Sequence, residues 1–186
     1  MRVIGGTLKG RVVPPPPGSD TRPTTDVLKE SLFSVITHHL DLTGKRVLDL
    51  CAGSGQLSWE MLSRGAKEAT LVDASTPVCR HLRSVAGEFG FDQQTTIVRT
   101  DVLGYIKNGQ PPPFDVIVAD PPYALKLCNH IAEALTKSPL LAPTTIVILE
   151  HGDQEAVIVP EGASLLWHKE RGSTVIDVLR YERPLP

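Results

Sequence analysis

The sequence predicts a single α/β domain built on an open, mostly parallel sheet, and three observations carry that prediction. An apolar run, Arg46 to Leu50, breaks into the glycine turn Cys51-Ala52-Gly53-Ser54-Gly55 and gives way to a helical segment. Three later β-prone runs, Glu68–Asp73, Thr95–Asp101 and Phe114–Asp120, each end in an acid, and segments of helical or turn character separate them. The chain has 186 residues, 41% of them hydrophobic, which is enough for one well-packed domain and too few for two large ones.

Residues 1–25 read as an extension and residues 26–186 as the domain proper. Arg2 to Val13 holds two short β-prone runs around glycines, a hairpin pattern. Pro14 to Pro17 and Gly18 form a stiff connector. Thr24, Thr25 or Asp26 can cap the helix that follows, whose core stripe is Leu28, Leu32, Val35, Ile36 and Leu40. His38 and His39 close this helix as solvated residues suited to a helix C-terminus.

After Gly44 comes the strand over Arg46–Leu50. Its apolar residues cover both faces, as a central parallel strand buried by helices on each side requires. Gly53 and Gly55 let the backbone turn sharply and lie against a ligand, with the helix Gln56–Ser63 presenting its first amides to the same place. Asp49 stands where a carboxylate meets a ligand hydroxyl or ammonium. Asp73 ends the next strand about twenty residues past the glycines, the spacing at which open α/β sheets put a carboxylate on a ribose. The pair implies a bound nucleoside.

A helix over Pro77–Phe89 then leads to the strand that ends in Asp101 and to a short helix over Leu103–Lys107. Acids at successive strand ends point into one crevice of a parallel sheet, an arrangement that a purely structural sheet has no reason to adopt. The fourth strand ends in Asp120-Pro121-Pro122-Tyr123. Two prolines stiffen this loop and remove two amide donors, so it offers a carboxylate, carbonyls and an aromatic ring. An exocyclic amine on a nucleobase is a poor nucleophile until acceptors hold its hydrogens. Asp120 and the Pro121 carbonyl suit that task, and Tyr123 suits stacking on the base. A helix over Leu125–Leu135, a fifth parallel strand over Thr144–Glu150 and an antiparallel hairpin within Ser164–Tyr181 complete the chain, with Lys169 and Arg171 solvated near the last turn.

Charge and cysteine usage set limits. A net charge of −2 and a pI near 6.3 exclude a surface uniformly coated in basic residues, but residues 1–25 carry Arg2, Lys9, Arg11 and Arg22 against Asp20 alone. That leaves a local basic arm. Cys51, Cys79 and Cys128 are far apart and in no CxxC pattern, so no disulfide framework or zinc site is implied. No signal peptide is read at the start, and no apolar run reaches the roughly 20 residues of a membrane span. A soluble protein of the reducing cytoplasm is expected, with no metal and no membrane partner.

Taken together, the glycine turn after Asp49, the acids Asp73 and Asp101 and the Asp120-Pro-Pro-Tyr123 loop resemble class I S-adenosylmethionine-dependent methyltransferases of the amino-methylating kind. The segments Arg2-Val-Ile-Gly-Gly, Gly10-Arg11 and Arg22-Pro-Thr-Thr-Asp26, with Lys29-Glu30 and Leu32-Phe33, further resemble the bacterial methylases that modify a guanine 2-amino group in 16S ribosomal RNA. The resemblance runs nearly the whole chain. It implies a Rossmann-like, seven-stranded sheet with an antiparallel final hairpin and a small N-terminal β-hairpin extension. It also implies that Asp49, Gly53 and Gly55 hold the methionine end of the cofactor with Ala52 and Ser54 as further cofactor contacts, that Asp73 takes the ribose and Asp101 the adenine amine, and that Asp120, Pro121, Pro122 and Tyr123 form the base pocket. Arg11, Arg22 and Lys29 would grip phosphates of 16S ribosomal RNA or of the assembling small subunit. Two positions depart from the pattern: Cys51 stands where phenylalanine is common, and Val27 where arginine is usual.

The reaction so implied is direct in-line transfer to an extruded guanine, with no covalent enzyme intermediate. Three other readings are open to the same residues. Asp-Pro-Pro-Tyr chemistry also serves an adenine-N6 DNA methylase or a methylase of protein amides, although the short chain shows no target-recognition domain. A non-catalytic RNA-binding assembly factor can keep the fold. A nicotinamide dehydrogenase is disfavoured, since Asp-Pro-Pro-Tyr has no part in hydride transfer.

Overall fold

A computed structural model describes residues 1–17 and 26–183. In chain order the elements are α1 (Asp26–His39), β1 (Arg46–Leu50), α2 (Gln56–Ser63), β2 (Glu68–Asp73), α3 (Thr76–Phe89), β3 (Thr95–Arg99), α4 (Val102–Asn108), β4 (Phe114–Ala119), α5 (Cys128–Thr136), β5 (Leu141–Gly152), β6 (Ala163–Arg171) and β7 (Thr174–Glu182). They build one seven-stranded sheet in the order β3-β2-β1-β4-β5-β7-β6. The first five strands are mutually parallel, and β7 and β6 run antiparallel to their neighbours. The expected topology, including the terminal hairpin, is present.

The alternation of β1 shows why the sheet is buried on both sides. Val47 faces a layer formed by α1, α2 and α3, while Leu48 and Leu50 face α4 and α5. Ser75 caps α3 by accepting a hydrogen bond from the Val78 amide, and Gly90 ends that helix in the left-handed region at φ +73°. Thr24 and Thr25, expected as caps of α1, lie outside the described residues, as does Arg22.

The structure differs from the sequence reading in three places. The N-terminal hairpin is minimal: one antiparallel bridge, Arg2 to Val12, around a single 3₁₀ turn at Gly6–Leu8. The amides of Ile4 and Leu8 are drawn instead to side chains of α2, Glu60 at 2.7 Å and Ser63 at 2.8 Å. The helix expected from Leu125 starts at Cys128, because Tyr123–Leu125 winds as a 3₁₀ turn and Lys126 takes a left-handed φ of +47°. Finally, Lys29 does not face solvent. It is fully buried, donates to the Arg2 carbonyl and lies 3.7 Å from Asp26. Burial lowers its pKa from the ordinary 10.5, against the pull of Glu60 and Asp26.

A polar cluster links β5 to the terminal hairpin, buried at His151 and Asp177 and exposed at His168 and Glu170. His151 places Nδ1 3.0 Å from the Gly152 carbonyl and Nε2 3.0 Å from Asp177. His168 places Nδ1 2.7 Å from the other Asp177 oxygen and Nε2 3.3 Å from Glu170. Each ring faces acceptors at both nitrogens, which only the doubly protonated imidazolium satisfies. Burial disfavours that charge on His151, but its bonds to Asp177 and Gly152 outweigh burial and raise its pKa above the ordinary 6.5. The bond to Asp177 raises His168 likewise. The Asp177 carboxyl, which burial would push up, is held below its ordinary 3.8 by the two histidines.

The stabilisation due to the raised histidines is complete below about pH 6.5 and is lost as pH climbs through their folded values, while that due to Asp177 is lost as pH falls below about 4. The melting-temperature gap between the wild type and Asp177→Asn should therefore be widest near pH 5.5 and shrink by about pH 8.5. Equal gaps at the two pH values would mean that the rings are neutral.

Candidate active site

The chain leaves β1 through a turn that requires unusual backbone. Cys51, Gly53 and Gly55 have φ of +63°, +52° and +70°, the left-handed region that glycine enters freely and other residues do not. At Gly55 space matters as well, since a Cβ there would lie 2.6 Å from Nε1 of Trp59 and 3.0 Å from Leu71. Trp59 donates that Nε1–H to the Ser54 carbonyl at 2.8 Å and so fixes the loop from inside α2. The Gly53 amide donates to Asp73 Oδ2 at 3.1 Å, and the Ser75 amide donates to Asp73 Oδ1 at 2.8 Å. The turn and the second acid are thereby bonded to each other.

Asp49 is buried and accepts a 2.6 Å hydrogen bond from Ser58. Burial raises its pKa to about 7 despite that bond, and the charge of Asp73 adds to the rise. Cys51 is similarly affected: burial and the charges of Asp73, Asp49 and Asp120 push its thiol to about 12, so it stays protonated and unreactive. Asp101 lies at the surface and caps α4 by accepting from the Gly104 amide at 2.7 Å.

Strand register brings the fourth acid to the same place. Leu50 of β1 is level with Ala119 of β4, Ala119 is level with Leu149 of β5, and the Asp120 amide approaches the Leu50 carbonyl at 3.4 Å. Asp120 therefore stands between the end of β1 and Glu150. It is solvent-accessible, although the protein around it desolvates its carboxyl. That desolvation, with the charges of Glu150 and Asp49, holds its pKa well above the usual carboxylate range. Pro121 is buried, the Pro122 carbonyl accepts from the Leu125 amide at 2.9 Å, and Tyr123 turns its ring toward the end of β5.

The structure thus assembles Asp49, Ala52, Gly53, Ser54, Gly55, Asp73 and Asp120–Tyr123 at one edge of the sheet. The basic residues are not assembled there. Arg11 pairs with Glu88 at 3.1 Å and lies over the Phe89 ring of α3, partly exposed, and Lys29 is buried. Sequence reasoning missed Trp59, whose only signal was an aromatic four residues after Gly55. It also missed Gln56, whose buried side-chain nitrogen at the start of α2 has no hydrogen-bond partner among the described residues.

Such a sheet, with a glycine turn and acid-tipped strands, defines the class I methyltransferase fold. The family model described as "Conserved hypothetical protein 95" matches residues 1–180, and the chain belongs to that family, which it shares with the ribosomal RNA small subunit methyltransferase D proteins. The protein of that name from Haemophilus influenzae is 30% identical over 92% of this chain and 89% of its own length. The putative rRNA methyltransferase YlbH of Bacillus subtilis is 34% identical over 87% of this chain and 86% of its own. Among solved structures, a putative methyltransferase from Escherichia coli superposes with a TM-score of 0.85 at 28% identity, covering 99% of both chains.

Gly55→Ala should weaken binding of S-adenosylhomocysteine by at least about tenfold, because the new methyl meets the Trp59 indole and the residue loses its preferred backbone conformation. Calorimetric titration measures the change, and unaltered affinity would show that the turn does not shape the pocket.

Proposed function

We propose that the protein is an S-adenosylmethionine-dependent methyltransferase that acts on the 2-amino group of a guanine in 16S ribosomal RNA. The observation that carries this reading is the placement of Asp120-Pro121-Pro122-Tyr123 directly beside the glycine turn, on the neighbouring strand of the sheet. Kinship to the methyltransferase D proteins supports the RNA substrate.

The residues fit the cofactor. The left-handed turn gives close backbone approach at Gly53, where an added Cβ would meet nothing nearer than 3.9 Å. The buried side-chain nitrogen of Gln56, a donor at the same helix start, has no acceptor among the described residues. Acids at the ends of β1, β2 and β4 suit a ligand with cationic groups. Asp49, Ala52, Gly53, Ser54 and Gly55 would hold its methionine end, Asp73 its ribose and Asp101 its adenine. The bound cofactor supplies an electrophilic methyl on a sulfonium.

Asp120 and the Pro121 carbonyl accept the two hydrogens of the target amine, which favours charge developing on its nitrogen. Tyr123 stacks on the base. The raised pKa of Asp120 gives its carboxyl a stronger hold on an amine proton than an ordinary carboxylate has. The prolines keep carboxylate and carbonyl in fixed relation, so orientation supplies much of the rate. Arg11 and Arg22 remain the proposed phosphate contacts. Lys29 acts indirectly, by fixing the N-terminal segment through the Arg2 carbonyl.

Incubation with labelled S-adenosylmethionine and unmodified 16S RNA, both naked and in partly assembled subunits, followed by digestion to nucleosides, should place the label in N2-methylguanosine. Asp120→Ala should reduce labelling by at least about 100-fold while leaving cofactor binding intact. Unchanged labelling in this variant would overturn the role given to Asp120. Label in DNA or in a protein amide instead of RNA would move the substrate, and absence of cofactor binding would favour a non-catalytic assembly factor.

A further inference from the structure

The strand ends on the far side of β4 from the glycine turn contain a second arrangement. Gly152, the last residue of β5, is level with Thr174, the first of β7, and Glu150 is level with Ile176. Residues two apart on a strand share a face, so Glu150 and Thr174 stand side by side on one surface of this pair. The Tyr123 hydroxyl lies between them, 3.2 Å from Glu150 Oε1 and 3.1 Å from Thr174 Oγ1. A phenol has one proton and a carboxylate only accepts. The array therefore has one polarity, with Thr174 donating to Tyr123 and Tyr123 donating to Glu150.

The ring is seated as well as tethered. A Cβ on Gly152 would lie 3.0 Å from Cδ2 of Tyr123 and 3.2 Å from its Cβ and Cγ. Gly152 is not among the residues with positive φ, so what it contributes is space and not backbone freedom. Its backbone forms a flat bed that any side chain would fill. One side of the aromatic ring is thus closed by β5 while the hydroxyl is clamped by β5 and β7.

We propose that Glu150, Gly152 and Thr174 are positioning residues, forming a cradle that sets the tilt and depth of the Tyr123 ring and hence the seat of the target base against Asp120. The assignment rests on the methyltransferase reading given above. It makes the antiparallel C-terminal hairpin part of the base pocket. Cofactor residues occupy the β1 and β2 side of β4 and the cradle the β5 and β7 side, so loosening the cradle should slow transfer and leave cofactor affinity alone.

Two measurements test this. In the first, Tyr123→Phe, Thr174→Val and their double variant are compared in single-turnover methylation of RNA, with S-adenosylhomocysteine affinity and melting temperature as controls. Each single variant should lose about tenfold in rate, the double variant should lose no more than Tyr123→Phe alone, and affinity should change less than twofold. Glu150→Gln, which keeps an acceptor for the phenol, should retain more activity than Glu150→Ala. Wild-type rates in both single variants, or fully additive losses, would overturn the cradle.

The second measurement needs no activity. The chain has three tyrosines, so Tyr123→Phe identifies the ring signals of Tyr123 in the spectrum of ¹³C-labelled tyrosine. The Cζ resonance of Tyr123, which reports the hydrogen bonds at its hydroxyl, should shift in Thr174→Val and in Glu150→Ala relative to the wild type. An unchanged Cζ resonance in both variants refutes the clamp. If the wild type labels no RNA, the methyltransferase reading fails and this spectrum alone decides whether the ring is held.

Discussion

The structure depends on how one short helix resolves being buried on every side. All eight residues of α2 are buried, among them Gln56, Ser58, Glu60 and Ser63. A polar group withdrawn from water without a partner costs on the order of 1–3 kcal/mol, and Ser58, Glu60 and Ser63 avoid that cost through bonds to other parts of the chain. Ser58 finds Asp49 on β1. Ser63 accepts from the Leu8 amide and donates to the Gly5 carbonyl, and Glu60 uses one oxygen for the Ile4 amide and the other for Arg64. Three partners lie in the N-terminal segment and one in the central strand, and α2 itself begins where the glycine turn ends. A shift of the N-terminal segment therefore cannot leave that turn untouched.

This also explains the fate of Lys29. A buried cation is tolerated only with compensating groups. The Arg2 carbonyl, Asp26 and the charge of Glu60 supply them, and Arg64 packs over the Phe33 ring on the neighbouring surface. A phosphate contact made by Lys29 would leave the Arg2 carbonyl without this donor and Glu60 with Arg64 as its paired cation. Lys29 is internal wiring, and Arg2 and Arg11 are paired with Asp26 and Glu88, so the charge that this end of the chain offers a nucleic acid is smaller than the sequence count suggests.

What the sequence made legible follows from the range of the interaction concerned. Strand–turn–helix alternation, the glycine turn and the acids after β2 and β4 are local patterns, and the structure brings Asp49, Asp73 and Asp120 to one sheet edge as those patterns imply. Lys29 was misread although a local signal existed: it lies three residues before Leu32 and four before Phe33, hence on the apolar stripe. Glu60, Trp59 and Tyr123 are a different matter. Their partners at Ile4, Ser54, Glu150 and Thr174 are set by packing or by strand register, and no periodicity within a segment encodes a pairing such as Tyr123 with Thr174, 51 residues away.

The central pair of strands explains why such distant residues meet. Because β4 is inserted between β1 and β5, the strand order reverses at β1, and a crevice opens there above the carboxyl ends. A loop leaving β4 is flanked by the glycine turn on one side and the end of β5 on the other. Two prolines at its start allow little freedom in choosing between them, and the loop ends by laying Tyr123 on β5 while Asp120 stays toward β1. The loop thereby divides its two chemical groups between the strands that flank it, the carboxylate beside the end of β1 and the aromatic ring against β5 and β7.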